Sequence, residues 1–133
     1  PVDAADSAPL RLDLTVLMYP VATMADPYVH AGSRTHLLGE TPSAERIAAY
    51  SLEQMEWRNA SPVFLLHAMD DASVPVENSL QLLTALKAAS VRTEAHLFQE
   101  GGHGFGVRLI QGKPAQVWPD LVRAWAARLD FPL

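Results

Sequence analysis

Residues 63–75 read VFLLHAMDDASVP, and this stretch decides the fold class. The first six residues are apolar except for His67 and show no polar alternation, the pattern of a strand covered on both faces. Residues 69–75 turn polar and end on Pro75, so a loop leaves the strand at its carboxyl end. Downstream, Leu80, Leu82, Leu83 and Leu86 put a leucine face on a helix expected over 76–89. Another strand is expected over 94–99, followed by the glycine-dense GGHGFG at 101–106. Trp118, Leu121, Val122, Trp125 and Leu129 recur at i, i+3, i+4, i+7 and i+11, which predicts a terminal amphipathic helix.

Upstream, residues 1–11 have no periodicity and read as a loop, whereas 14–19 form a short apolar run ended by Pro20, a further buried strand. Residues 21–42 make a long connection with one helical turn expected at 35–38. Thr41-Pro42-Ser43-Ala44-Glu45 then opens a helix with Pro42 in its first turn. Ser51 and Glu53 begin another short helix, ending near Trp57. Strands separated by helices imply parallel pairing through right-handed crossovers, with helices on both sheet faces. The expectation is an α/β fold with three parallel strands and flanking helices. Its first strand is too apolar for an open edge, and the chain begins at Pro1 rather than Met, so missing upstream strands are expected.

Composition narrows the function classes. At 133 residues the chain suits one domain or a large part of one, and 49% hydrophobic residues against 19% charged excludes disorder as the dominant state. A net charge of −5 without a Lys/Arg cluster argues against a nucleic-acid partner. No apolar run approaches the roughly 20 residues of a membrane-spanning helix, and no membrane partner is expected. With no cysteine, thiolate chemistry is excluded and a metal would need histidines and carboxylates. His30, His36, His67 and His96 lack the i, i+4 spacing of a helical zinc pair, and His67 and His96 read as core or edge residues of strands. Neither a metal nor a cofactor is expected.

Two loops carry the candidate chemistry: residues 67–75 after one strand and 101–106 after the next. In open parallel sheets ligands collect at the carboxyl ends of the strands. Asp71 and His103 are 32 residues apart, the size of one strand–helix–strand unit, so adjacent parallel strands bring the loops side by side. A carboxylate beside a histidine is the base half of a hydrolytic triad, and the flanking glycines allow a tight backbone path. Plainer roles remain open. An aspartate in such a turn commonly caps a helix or closes an Asx-turn, and Gly-His-Gly can be a simple turn. GGHGFG lacks the G-x-G-x-x-G frame of a phosphate loop.

Residues 64–75 (FLLHAMDDASVP), Asn78-Ser79 and GGHGFG, in this order and spacing, resemble the C-terminal half of α/β-hydrolase esterases. The likeness is greatest to the acetyl-xylan-esterase and feruloyl-esterase-like group related to prolyl oligopeptidases. LMYPV at 17–21 and HAGSRTHLLGE at 30–40 are similar too, so the resemblance spans nearly the whole chain. It implies Asp71 as triad acid, His103 as triad base and Asp70 as a neighbour that shapes the turn. Val74 and Phe105, flanking those positions, are weaker candidates for lining an acyl pocket. Ala68 departs from the family, which usually has glycine there.

A larger departure is the nucleophile. Such hydrolases carry it in G-x-S-x-G on a strand-to-helix elbow, in the chain order Ser, Asp, His. None of the eight serines here has glycine both two before and two after it, and an HGGG-type oxyanion segment is absent. The nucleophile is therefore expected upstream of this chain, in a serine esterase acting on carbohydrate O-acetyl or similar small acyl esters. The chain alone is expected to be inactive, and its open first strand to associate with the missing N-terminal half or a second copy. Two alternatives stand beside this: a prolyl-oligopeptidase-type peptidase, which shares the Asp and His loops, and a non-catalytic hydrolase fragment.

Overall fold

The structure, a computed structural model, describes residues 12–131; the loop expected over 1–11 lies outside them. Three strands, β1 (Thr15–Met18), β2 (Val63–Ala68) and β3 (Thr93–Phe98), form one sheet in the order β1-β2-β3. Both pairings are parallel, with Leu17 opposite Leu65 and His67 opposite Leu97. The connection from β1 to β2 carries α1 (Ala31–Leu38), α2 (Ala44–Ala49) and a 3₁₀ turn at Leu52–Gln54. Helix α3 (Glu77–Ala88) joins β2 to β3, and α4 (Trp118–Ala127) is the last helix among the described residues.

β2 is central, and all six of its residues are buried. Its side chains alternate between two cores. Phe64, Leu66 and Ala68 pack with Phe98, Phe105, Val122 and Trp125 on the α4 side. Val63 and Leu65 pack with Leu82 and Leu86 on the α3 side. Helices on both faces explain why β2 reads as an unbroken apolar run: neither face meets water.

Some expectations need correcting. β1 is only half-buried, and Val16 is 39% exposed, because no strand pairs with its outer edge among the described residues. Helix α1 is two turns rather than one. His30, not a usual capping residue, accepts the Ser33 N–H at 3.2 Å through Nδ1 and starts the helix early. Pro42 lies before α2, whose cap is Ser43, and the segment after Ser51 closes as a single 3₁₀ turn short of Trp57. Leu80, placed on the apolar face of α3, is 40% exposed, while Leu82 and Leu86 are fully buried.

One polar residue ties the connection to the sheet. Asn78, fully buried in the first turn of α3, accepts the N–H groups of Ala22 and Thr23 on Oδ1 at 2.9 and 3.0 Å. Its Nδ2 donates to the carbonyls of Tyr28 and Pro75. The exit of β1 and the loop after β2 are thereby held to one helix end.

Candidate active site

The loops after β2 and β3 meet at the carboxyl edge of the sheet. Asp71 and His103 come together there, with Asp71 Oδ2 2.8 Å from His103 Nδ1. The Asp71 side chain has no solvent exposure, whereas the His103 ring is 37% exposed. Gly102 and Gly104, at φ +68° and +67°, give the left-handed backbone that carries the ring out of the loop at little steric cost. Asp70 accepts the N–H groups of Gly101 and Gly102 on Oδ1, at 2.9 and 2.7 Å. These two bonds, that from Gly102 foremost, hold its carboxyl below the usual range. Asp70 therefore shapes the histidine loop more than its own turn.

Asp71 is saturated with donors. Oδ1 accepts the N–H groups of Ser73 and Val74, both at 2.9 Å. Oδ2 lies 3.1 Å from His67 Nε2 as well as 2.8 Å from His103 Nδ1. Burial opposes ionisation of Asp71, but the hydrogen bonds from Val74, His103 and Ser73 outweigh it, and the net displacement is downward. The group is a buried, fixed carboxylate. Facing it, His103 must donate from Nδ1, which leaves the lone pair on Nε2. Nε2 makes no hydrogen bond among the described residues, so it can take a proton from an incoming group. Tyr19, at the exit of β1 with φ +38°, sets its ring centroid 4.9 Å from that of His103 and 5.0 Å from Phe105.

His67, read from sequence as a core or edge residue, is fully buried and belongs to this cluster. Its Nδ1 is 2.7 Å from Ser79 Oγ, and its Nε2 is 3.0 Å from the Val74 carbonyl besides the contact with Asp71. Ser79–His67–Asp71 thus has the connectivity of a triad. Both Ser79 and His67 are 0% exposed, however, so no substrate reaches them. No short-range pattern singles out His67 or Ser79; the only hint is a polar residue inside the apolar run 63–68.

Val74 and Phe105, placed from sequence at an acyl pocket, are 2% and 1% exposed. Phe105 packs in the α4-side core and backs a recess of about 390 Å³ along residues 104–109, whose exposed apolar side chains are Val107 and Leu109. Their burial makes both residues support for the loops rather than open pocket walls.

Ala68 has an ordinary backbone, since the left-handed non-glycine residues among those described are Tyr19, Asn59, Ser90 and Asp130. Its methyl group instead constrains Gly101. A Cβ there would lie 2.8 Å from Ala68 Cβ and 3.0 Å from the Phe105 ring. Gly101→Ala is expected to destabilise the chain by about 1–3 kcal/mol through overpacking. Adding Ala68→Gly should return part of that loss, as read by chemical denaturation of the single and double variants.

Burial and the hydrogen-bond pattern also set an acid limit. Desolvation, the dominant influence on His67, holds it below its ordinary 6.5, so the unfolded chain binds that proton more readily than the folded one. Stability from neutral His67 is complete above 6.5 and lost as pH falls below it. Asp71 adds a second loss below its ordinary 3.8. The thermal midpoint should therefore drop in two stages on acidification, and His67→Gln should remove the first.

A parallel sheet whose adjacent strand-end loops set a buried carboxylate against an exposed histidine is the architecture of the α/β-hydrolases. Residues 17–118 match the prolyl oligopeptidase family, and the chain belongs to it. Among curated relatives, endo-1,4-beta-xylanase B of Butyrivibrio fibrisolvens is 37% identical over 97 residues, covering 73% of this chain and 15% of the relative. Acetylxylan esterase of Xylanibacter ruminicola is 29% identical over 101 residues, covering 73% of this chain and 21% of that protein. An acetyl ester-xyloside bifunctional hydrolase from Caldicellulosiruptor lactoaceticus superposes with a TM-score of 0.86 at 38% identity, over 92% of this chain and 44% of that structure. The carboxylesterase Cest-2923 of Lactobacillus plantarum shares the fold at 23% identity, with a TM-score of 0.68 over 92% of this chain and 46% of that one. The chain spans less than half the length of each of these relatives.

Proposed function

We propose that this chain is the C-terminal portion of one α/β-hydrolase domain and supplies Asp71 and His103 to the catalytic triad of a serine esterase. The reading rests on one observation: a 2.8 Å hydrogen bond from His103 Nδ1–H to Asp71 Oδ2, with Nε2 making no hydrogen bond among the described residues. No G-x-S-x-G occurs in the 133 residues, so this reading takes the nucleophile from an upstream segment.

In this mechanism His103 Nε2 takes the serine hydroxyl proton as Oγ attacks the acyl carbon. Asp71 holds the tautomer and stabilises the imidazolium. The imidazolium then protonates the departing alcohol, leaving an acyl-serine. A water, deprotonated by the same Nε2, releases the acid and restores the serine. Small acyl esters on carbohydrate are the preferred substrate class, supported by the names of the relatives that act on xylan and acetyl esters.

The full-length gene product, assayed on acetylated xylo-oligosaccharides and on prolyl peptides, should release acetate and leave the peptides intact. Peptide cleavage without acetate release would move the reading to the peptidase branch of the family. The 133-residue chain alone should neither release acetate nor take a stoichiometric label from a serine-directed phosphonate.

A further inference from the structure

We infer that His67 and Ser79 form a buried bracket that sets Asp71 for His103, making His67 a positioning residue of the proposed triad. The inference rests on the assignment of Asp71 and His103 above.

The protons of the bracket follow from its partners. His67 Nε2 faces a carboxylate oxygen at 3.1 Å and the Val74 carbonyl at 3.0 Å, both of which only accept. The proton of a neutral imidazole must then sit on Nε2. Nδ1 becomes an acceptor, and the Ser79 hydroxyl, 2.7 Å away, is the donor it needs. Ser79 therefore fixes the tautomer of His67, and His67 fixes Asp71 Oδ2, the same oxygen that receives His103 Nδ1–H.

The elements make this bracket rigid. His67 stands on the central strand, facing the α3 side of the sheet, and Ser79 lies in the first turn of α3. Both are 0% exposed, so water cannot replace either partner. Asp71, by contrast, sits in a loop, with Oδ1 tied only to the N–H groups two and three residues on. Those bonds leave rotation of the carboxylate to be decided by whatever meets Oδ2. His67 meets it from below the sheet edge, His103 from the open side. Without His67 the carboxylate has one interior partner fewer and can turn away from the histidine loop.

The test uses the full-length gene product and two replacements that separate packing from hydrogen bonding. His67→Leu keeps an apolar volume and removes the donor; His67→Gln keeps an N–H near Nε2. His67→Leu should lower kcat for ester hydrolysis by about 10²-fold, the scale of a misoriented catalytic group, with KM nearly unchanged. His67→Gln should recover most of that loss. Equal losses in the two variants, or wild-type kcat in His67→Leu, would overturn the bracket. Should His67→Leu fail to fold, Ser79→Ala keeps the ring and frees its tautomer; a lower kcat at constant KM supports the inference and an unchanged kcat defeats it. His103→Ala separates this failure from failure of the triad reading. If His103→Ala retains turnover the triad assignment is wrong, whereas an inactive His103→Ala beside a fully active His67→Leu removes the bracket alone.

Discussion

Replacing His103 with alanine in the full-length gene product is expected to lower kcat for ester hydrolysis by about 10⁴-fold or more, with KM changing little. A serine hydroxyl is a poor nucleophile unless its proton is removed as the bond forms, and the departing alcohol needs a proton in turn. His103 Nε2 is the atom of this cluster open to serve both steps. His67, the other imidazole beside Asp71, is 0% exposed and has both nitrogens engaged, so it cannot take over. A general base acts in the chemical step rather than in ground-state binding, hence the small change expected in KM. The variant should fold, because the ring is partly exposed and alanine creates no interior cavity. Steady-state assay with thermal unfolding as a control decides the matter, and near wild-type turnover would take His103 out of the mechanism.

Asp71→Asn should cost about 10⁴-fold in kcat while nearly preserving shape. The four donors around the carboxylate explain why the change is severe. If the amide oxygen takes the place of Oδ2, the NH₂ group faces the N–H groups of Ser73 and Val74. If the amide is turned over, the NH₂ group faces His67 and His103. In the second orientation His103 answers by moving its proton to Nε2, the nitrogen that must accept from serine. In the first orientation two buried N–H donors lose their acceptor, at about 1–3 kcal/mol each; in the second, His67 Nε2–H keeps only the Val74 carbonyl. Asp71→Asn should therefore lose stability as well as rate, whereas His103→Ala loses mainly rate. Measuring kcat and the denaturation midpoint on both variants separates them; an Asp71→Asn protein with full stability would mean that the carboxylate is not bonded as described.

Much of the fold was legible because local burial leaves a local trace. The run 63–68 is apolar at nearly every position because β2 is covered by α3 on one side and α4 on the other. The 3.6-residue rhythm from Trp118 to Trp125 marks the helix that packs on Phe64. The two loops stand out because they follow strands at the carboxyl edge of a parallel sheet and carry turn residues that sequence shows directly. The choice of Asp71 over Asp70 comes from the family resemblance. A histidine cap hides the first turn of α1 from sequence, and His67 reads as an ordinary core residue because its partners are invisible from its neighbours.

Sequence alone determined the alternation of strands and helices, the parallel sheet, the absence of a G-x-S-x-G in these 133 residues and the two loops that carry Asp71 and His103. Each depends on the chemistry of residues near one another in the chain. Tertiary structure decided that Asp70 serves the other loop, that Val74 and Phe105 are interior support, that Asn78 ties the β1 exit to α3, and that His67 and Ser79 stand behind Asp71. The physical reason is that a buried polar group must find its partner wherever the fold supplies one. The partners of Asn78 lie as many as 56 residues away, and even the twelve-residue step from His67 to Ser79 is closed only by the turn of the chain from β2 into α3.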